Sequence, residues 1–405
     1  MASDSLTKGK SPFYPGQPVP LELFVGRSRQ IEQIMQRGVG QVAAGKPVAM
    51  FVRGEYGIGK CSIAVYCQAR AERECGLLGI YATLGGVASL DGVGERVLEG
   101  AVRAGMLDPS RGERIRDLLS KYVAEVGLFG VKLKTGELKK HAPEITSGLL
   151  KFLEELRQKT HENGTKGIFL VLDEINGIAA DPKFAHYLKA LVDSNALSRK
   201  PVPLLLMLCG VEARRADLVP SHEPVNRIFD LVDIDVMSPT EMSDFFKRAF
   251  DSVHMSVEAG ALETLERYSA GIPKVMHMVG DEAFWLAREP VVTRETAIQA
   301  VMSATEKFGQ RYLDLQVYRA LRSKDYKAIL SRIVEDPLDV VIQRADVGKR
   351  LSESERKKFD DFLQKMKSLQ VLRPGRSAGE WEFIHPMVAL YIWMRAEAPV
   401  RPEQN

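Results

Sequence analysis

The stretch GEYGIGKCS, residues 54–62, combines residue types and a spacing that can hold a phosphate group. Its glycines leave the backbone free to turn N–H groups toward an anion. Lys60 adds a full positive charge, and the helix predicted to start beside it adds about half a charge at its N-terminus. An apolar run precedes the loop, which gives the order strand, loop, helix of a nucleotide phosphate site. The alternative is a glycine-rich turn without a ligand. The residues predicted to contact a nucleotide here are Gly54, Tyr56, Gly57, Ile58, Gly59, Lys60, Cys61 and Ser62.

Cys61 stands where such a loop has a Ser or Thr hydroxyl that binds Mg²⁺. A thiol is a soft ligand, whereas Mg²⁺ prefers hard oxygen atoms. We therefore expect metal binding and turnover to be weakened, while the backbone and Lys60 still hold the phosphates. Ser62 lies one position further on and does not simply take over the metal contact.

The run GIFLVLDE ends in two acids, Asp173 and Glu174, about 110 residues after the loop. Two carboxylates at the end of a buried strand are unfavourable unless they have partners. With a phosphate loop already predicted, Asp173 is expected to hold Mg²⁺ through water and Glu174 to polarise the attacking water. The alternative is an exposed strand end that happens to be acidic.

Short apolar runs alternate with helical segments in the first half of the chain. Four of these runs, PVAMFVR, LGIYATL, GIFLVLDEI and PVPLLLMLCG, predict buried strands. The alternation predicts an α/β fold with a parallel sheet and helices on both faces. The segment 91–159 is predicted to be mostly helical, and no further buried strand is expected after about residue 235. The C-terminal part predicts three helices followed by two short strands around LRPGRSAGEWEFI, the order of a winged helix.

The chain resembles the AAA+ and STAND class of P-loop ATPases, and within it the archaeal and bacterial group related to origin-recognition initiator ATPases. The resemblance is carried by FVGRSRQIEQI, GEYGIGK, LVLDE, PVNRIFDLVDID and SAGIPKVMHMVGDEAFWLA. It implies a P-loop NTPase sheet, a helical lid and a C-terminal winged-helix domain. It also implies that Val25, Gly26 and Arg27 lie near adenine and that Lys274 occupies the position called sensor 2. Arginine is common at that position, and lysine cannot make the same bidentate contact.

Arg227 lies in the stretch where an arginine of this class reaches the nucleotide of a neighbouring subunit. That role would stabilise transition-state charge in trans and needs a homo-oligomer. The alternative is an ordinary surface arginine on a helix face. The predicted domains are a tail or extended arm at 1–20, which could wrap the first domain, a P-loop ATPase domain at 21–237, the lid at 238–320 and the winged helix at 321–405.

The segment 344–376 holds ten Lys and Arg against five Asp and Glu, a net charge of +5. Ser352 with Glu355 three residues on predicts a capped helix, whose apolar residues recur at helical spacing. The residues predicted to contact double-stranded DNA are Arg356, Lys357 and Lys365 of this helix and Arg373 and Arg376 of the following wing. The alternative is a module that binds protein.

The bulk composition is that of a soluble globular protein, with 45% hydrophobic and 27% charged residues. The net charge of +3 permits a nucleic-acid partner without arguing for one. The four cysteines have neither C-x-x-C nor zinc spacing, which predicts free thiols in a reducing, cytoplasmic setting without a membrane partner. These features predict a slow ATPase that binds ATP, ADP and Mg²⁺ and whose nucleotide state controls oligomerisation and DNA binding. The alternative is a signalling or defence scaffold with negligible hydrolysis and a protein partner.

Overall fold

The computed structural model describes residues 8–17, 19–106, 142–161, 164–211, 227–336 and 339–397. The chain divides into two compact units, one formed by residues 18–235 and the other by residues 1–17 with 236–405. In the first unit a helical segment consists of α1 (Ser28–Gln33), a π-helical stretch (Ile34–Val39) and α2 (Gly40–Ala43). The remaining elements are β1 (Val48–Arg53), α3 (Lys60–Cys75), β2 (Leu77–Thr83), α4 (Leu90–Met106), α5 (Ala142–Thr160), β3 (Gly167–Asp173), α6 (Pro182–Ala196), β4 (Leu204–Gly210) and β5 (Asp230–Asp233).

The strands of this unit form one parallel sheet in the order β2-β3-β4-β1-β5. Every residue of β3 and of β4 is buried, so both faces of these strands are covered. Apolar residues of β1 to β4 pack with α4, α5 and α6 in one hydrophobic core. The predicted α/β fold, a P-loop NTPase parallel sheet with helices, is confirmed.

β5 is a strand that the sequence analysis missed. Only Val232 of its four residues is buried, and two of the others are aspartates, so no apolar run marks it. It pairs with β1, and the backbone N–H of the next residue, Ile234, donates to the carbonyl oxygen of Arg53 at 2.8 Å. α4 and α5 agree with the helical segment predicted at 91–159, of which residues 107–141 lie outside the described residues.

The second unit begins with the predicted lid segment. It comprises α7 (Pro239–Asp251), β6 (Ser256–Val257), α8 (Ala259–Ser269), α9 (Pro273–Leu286), β7 (Val291–Val292), α10 (Arg294–Phe308) and a π-helical stretch (Gly309–Tyr318). The two-stranded parallel sheet of β6 and β7 was not predicted, because two residues are too few to form a pattern.

The arm packs in this second unit, so the expectation that it wraps the first domain is wrong. Phe13 is 4% exposed and lies between the aromatic rings of α7 and His277 of α9. A Cβ on Gly280 of α9 would come 2.3 Å from the Phe13 ring, so only glycine permits this contact. Lys8 donates to backbone carbonyl groups at the C-terminal end of α9, where a cation is favourable.

The last part of the unit, called here the C-terminal module, comprises α11 (Lys324–Arg332), β8 (Val341–Gln343), α12 (Arg344–Arg350), α13 (Glu353–Ser368), β9 (Leu372–Pro374), β10 (Glu380–Phe383) and α14 (Pro386–Glu397). Its antiparallel sheet has the order β8-β10-β9. The order expected from the sequence lacked β8, whose three residues alternate between exposed and buried. The predicted capping box of Ser352 and Glu355 is present, and Phe359 and Phe362 belong to the core. Within the described residues, no helix is both long and apolar enough to span a bilayer.

Candidate functional site

The loop between β1 and α3 requires its glycines. Gly57 and Gly59 have φ of 78° and 98°, where an L side chain costs about 1–2 kcal/mol. A Cβ on Gly54 would lie 2.5 Å from the carbonyl oxygen of Ile234. Gly59 is the N-cap of α3, and no side chain caps the helix there. The first-turn N–H groups of α3 are therefore left without a side-chain acceptor, which is the arrangement that binds anions.

Lys60 is the first residue of α3, and its side chain folds back over the loop. Its Nζ donates to the carbonyl oxygens of Gly54 and Glu55, each at 2.8 Å. Burial lowers the pKa of the Lys60 ammonium, and the negative charge of Asp173 acts against that shift. A phosphate would offer this ammonium a charged acceptor, with which hydrogen bonds are stronger than with neutral carbonyls.

Arg27 supports the loop from behind. Its side chain is buried, its Nη2 donates to the carbonyl oxygen of Ile58 at 3.1 Å, and its Nη1 donates to the carbonyl oxygen of Asp235. Its φ of 63° lies in the left-handed region, which non-glycine residues seldom occupy. The guanidinium thus joins the segment before α1 to the loop and to the end of β5.

Asp173 ends β3 and is 3% exposed. Its Oδ2 accepts a hydrogen bond from the phenol of Tyr81 at 2.5 Å, and its Oδ1 accepts one from the backbone N–H of Glu174 at 2.8 Å. Tyr81 lies on β2, where Thr83 pairs with Asp173. Because side chains two residues apart on a strand share a face, the Tyr81 ring reaches the carboxylate from the neighbouring strand.

Two thiols complete what we call the Asp173 cluster: Cys61, Tyr81, Asp173 and Cys209. Burial, together with the charge of Asp173 and a hydrogen bond to it, raises the pKa of Cys61 to about 12. Burial also raises the pKa of Cys209, at the end of β4, well above its usual value, and it raises the pKa of Tyr81 in the same direction. At neutral pH both thiols and the phenol are uncharged. All four cysteines of the chain are unpaired.

The donor set at this point does not fit Mg²⁺. The side chain at the predicted metal position, Cys61, presents a sulfur that is protonated at neutral pH. The other predicted ligand, Asp173, already accepts hydrogen bonds on both carboxylate oxygens. Mg²⁺ requires hard oxygen donors in near-octahedral geometry, so we derive no chemical step through a metal.

Glu174 follows Asp173 and is exposed at the end of β3. Its φ of 56° and ψ of 48° are left-handed, a conformation that non-glycine residues hold only when the surroundings enforce it. A Cβ on Gly85 would lie 2.5 Å from Oε2 of Glu174, so the loop after β2 passes directly beside this carboxylate. The arrangement leaves the carboxylate next to solvent, where it can orient a water molecule.

The remaining predicted site residues of this unit lie in the turn before α1, in the loop, in α3 and before β5. Gly26 has φ of 76° and, with Val25, forms the half-buried turn before α1. Tyr56 is 66% exposed at the loop, and Ser62 is half-buried in the first turn of α3. Arg227 is exposed and lies three residues before β5.

Lys274, the predicted sensor 2 residue, lies in the first turn of α9 in the second unit. Its Nζ donates to the phenol oxygen of Tyr312 at 2.7 Å and lies 5.1 Å from the centre of that ring. The contact with Tyr312 was not foreseen, because 38 residues separate the two side chains. The predicted approach of Lys274 to a nucleotide remains a prediction.

Six of the ten basic side chains counted in the segment 344–376 bind acidic partners. Lys357 pairs with Glu353 at 2.9 Å, and Arg373 pairs with Glu382 at 2.9 Å. The other pairs are Arg344–Asp360, Lys349–Asp346, Arg350–Glu335 and Lys358–Asp325. Several of these acids lie outside that segment. The net charge of +5 counted for the segment is therefore larger than the positive charge that the whole module presents.

The other predicted DNA-binding side chains are exposed. Arg356 donates to the carbonyl oxygens of Gly348 and Lys349, which holds it against α12. Lys365 lies on α13, and Arg376 lies in the turn between β9 and β10. The whole segment 324–397 carries fourteen Lys and Arg against twelve Asp and Glu, a net charge of +2.

Comparison with known proteins agrees with the fold and the loop. Residues 23–207 match the family model described as AAA ATPase domain. The fold resembles that of the Walker-type ATPase PabY2304 of Pyrococcus abyssi, with 16% identity, a TM-score of 0.57 and coverage of 94% of this chain and 99% of that one. It also resembles Cdc6p of Pyrobaculum aerophilum, with 11% identity, a TM-score of 0.50 and coverage of 95% and 97%. Among curated proteins no relative was found.

The region around the site thus matches an AAA ATPase domain model and has a P-loop NTPase fold. At these identities the similarity to the two archaeal structures shows a shared fold. The Tyr81–Asp173 contact and the loop-supporting role of Arg27 were both missed by the sequence analysis. Tyr81 carried no local signal, because its role depends on β2 lying beside β3 in the sheet.

Proposed function

We propose that the chain is a regulatory ATPase of low turnover that binds ATP and ADP in the loop between β1 and α3. The observation that carries the proposal is the combination of an uncapped α3 N-terminus with the Lys60 ammonium held over the same loop. Together they supply backbone donors and a positive charge to one small volume, which is what the phosphates of a nucleoside diphosphate require. Isothermal titration calorimetry measures the binding of ATP and of ADP. If neither nucleotide binds, the proposal is contradicted.

Low turnover is proposed because Glu174 can act as the base, whereas Cys61 offers sulfur in place of a hard oxygen ligand for a metal. Glu174 lies exposed beside the loop after β2, where it would polarise a water molecule. Cys61 supplies no oxygen to a metal that would neutralise charge developing between the β- and γ-phosphates. A steady-state phosphate-release assay tests this, and turnover at the rates typical of motor ATPases contradicts it.

The nucleotide state is proposed to control oligomerisation through Arg227. Its exposure close to β5 leaves the guanidinium available to a second copy of the chain. Sedimentation with ATP, with ADP and without nucleotide tests the idea, with Arg227→Ala compared against Arg199→Ala, another exposed arginine of the same unit. Nucleotide-dependent assembly that survives Arg227→Ala rules out this role.

The C-terminal module is proposed to be a winged helix that binds double-stranded DNA when the nucleotide state permits. Lys365 and Arg376 are its exposed candidates for phosphate contacts, and Arg356, Lys357 and Arg373 lie on the same helix and wing. Exposed ion pairs are worth only about 0–1 kcal/mol, so phosphates can displace the acids from Lys357 and Arg373.

The second candidate function is a nucleotide-gated signalling or defence scaffold whose C-terminal module binds protein. Two observations favour it: the module has a net charge of only +2, and ion pairs engage basic side chains such as Lys357 and Arg373. Retention on double-stranded DNA at several salt concentrations separates the two. DNA binding through phosphates weakens steeply with salt because counterions are released, and Lys365→Glu with Arg376→Glu should abolish it. No retention even at low salt supports the scaffold.

A further inference from the structure

We infer that this site holds its nucleotide without a divalent metal, because Tyr81 and Cys61 occupy the positions from which a metal would be held. The inference rests on the proposed nucleotide binding and concerns how the bound phosphates are neutralised. The phenol of Tyr81 is 2.5 Å from Oδ2 of Asp173. Nothing in the loop motif requires a tyrosine on β2, so this contact belongs to this chain's own site.

Both carboxylate oxygens of Asp173 already accept a hydrogen bond from the protein. Oδ2 receives the phenol proton and Oδ1 receives the N–H of Glu174. The side chain is almost fully buried, so these donors replace the water that would otherwise solvate the carboxylate. Each oxygen retains a second lone pair, but the carboxylate is almost fully buried, so a cation or its hydration water approaching Oδ2 would compete with the Tyr81 hydroxyl for space.

The second position of the metal is closed by the thiols. Cys61 offers sulfur in place of oxygen, and the Cys209 thiol, fully buried at the end of β4, lies on the other side of the cluster. The interior around Asp173 therefore consists of one carboxylate, one phenol and two thiols. A hard cation gains no additional oxygen ligand from Cys61 or Cys209.

The phosphates are instead neutralised by the loop itself. The Lys60 ammonium, held by the carbonyl oxygens of Gly54 and Glu55, lies in the same buried region as Asp173. With the uncapped N-terminus of α3 it provides about one and a half positive charges, which offset a large part of the negative charge on the diphosphate of ADP. Affinity for ADP should then be nearly independent of Mg²⁺.

The test compares ADP and ATP affinity by calorimetry in excess Mg²⁺ and in EDTA. In the natural chain we expect the two conditions to differ by less than about threefold. In the double variant Tyr81→Phe with Cys61→Ser, one oxygen of Asp173 is released and an oxygen ligand is restored. Mg²⁺ should then tighten binding about tenfold, the effect of one recovered contact. Tyr187→Phe is the matched control, since it removes another buried phenol of the same unit away from Asp173.

The outcomes separate this inference from the proposed function. Binding by the natural chain that requires Mg²⁺ overturns the inference and leaves the nucleotide site intact. Binding in neither condition overturns the proposed function together with the inference. If the double variant does not fold, as judged by circular dichroism, the single variants Tyr81→Phe and Cys61→Ser carry the comparison. The same Mg²⁺ independence in both of them as in the natural chain contradicts the inference.

Discussion

Nη2 of Arg27 donates a hydrogen bond to the carbonyl oxygen of Ile58 at 3.1 Å, which joins the turn before α1 to the middle of the phosphate loop. The same guanidinium donates to the carbonyl oxygen of Asp235. Arg27 is 6% exposed, and its hydrogen bond to Ile58 is buried, so water does not easily replace that contact. That Arg27 lies near adenine stays a prediction, and its contacts join it to the loop.

Arg27→Lys should destabilise the first unit and weaken nucleotide binding, because an ammonium cannot reproduce the forked contact with both carbonyls. A buried hydrogen bond left unmade costs about 1–3 kcal/mol, which is the expected loss in the free energy of unfolding. Urea denaturation measures the loss, and Arg29→Lys, at an exposed position of α1, is the control. Equal stability of the two variants would show that the Arg27 contacts contribute nothing.

Glu174→Gln should retain ATP and lose turnover, since this carboxylate would orient water but does not hold the phosphates. The amide preserves the size of the side chain beside Gly85, so the left-handed backbone is not disturbed. Single-turnover phosphate release and ATP affinity are measured together, with Glu95→Gln on α4 as an exposed control. Unchanged release by Glu174→Gln would remove this residue from the proposed mechanism.

Cys61→Ser restores one of the two metal positions, so it should give the site an ATP hydrolysis that responds to Mg²⁺ while leaving ADP affinity without metal unchanged. The side chain at this position would touch the metal, whereas the backbone and Lys60 would hold the phosphates. One contact worth about 1.4 kcal/mol in the transition state is about tenfold in rate. The natural cysteine should in turn respond better to Cd²⁺ than the serine variant does, because sulfur is the softer ligand. The same rate and the same metal preference in both chains would place Cys61 away from any metal.

Stability should fall as the pH is lowered from about 6.5 to about 4. Burial lowers the pKa of His277 and of His385 from 6.5 to about 4. Between these values the unfolded chain binds protons that the folded chain does not, so stability is lost as the pH falls through this window. Nδ1 of His277 accepts from the backbone N–H of Tyr14 at 3.1 Å, a bond that protonation breaks and that holds the arm.

The free energy of unfolding at several pH values tests this dependence. His277→Gln should reduce the slope of the free energy of unfolding between pH 6.5 and 4. His254→Gln, at an exposed position, should have the same slope as the natural chain. A flat profile in the natural chain would contradict the account of both buried histidines.

The phosphate loop and the acidic strand end were predictable because each is a local pattern. Residues 54–60 and 167–174 carry their glycines, charges and apolar runs within one segment, and the alternation of strands and helices followed from the same periodicities. β5 could not be found in this way, since Val232 is its only buried residue and aspartates stand at both ends.

The contacts that distinguish this site depend on long-range pairing. Tyr81 meets Asp173 only because β2 lies beside β3, and Arg27 meets Ile58 only after α1 has packed against the sheet. The arm was placed on the wrong unit for a similar reason. Its anchor, Phe13, needs the space left by Gly280, more than 260 residues away, and a glycine within a helical pattern does not indicate which ring will fill it.

The most direct test of the account is the affinity of Lys60→Ala for a fluorescent ATP analogue. Lys60 donates to two loop carbonyls and would be the main positive charge on the phosphates. Lys46→Ala, at an exposed position just before β1, removes the same charge from the same unit without touching the loop. We predict that Lys60→Ala remains folded but loses measurable binding, while Lys46→Ala binds as the natural chain does. Equal affinity of the two variants would contradict the assignment of the nucleotide site to this loop.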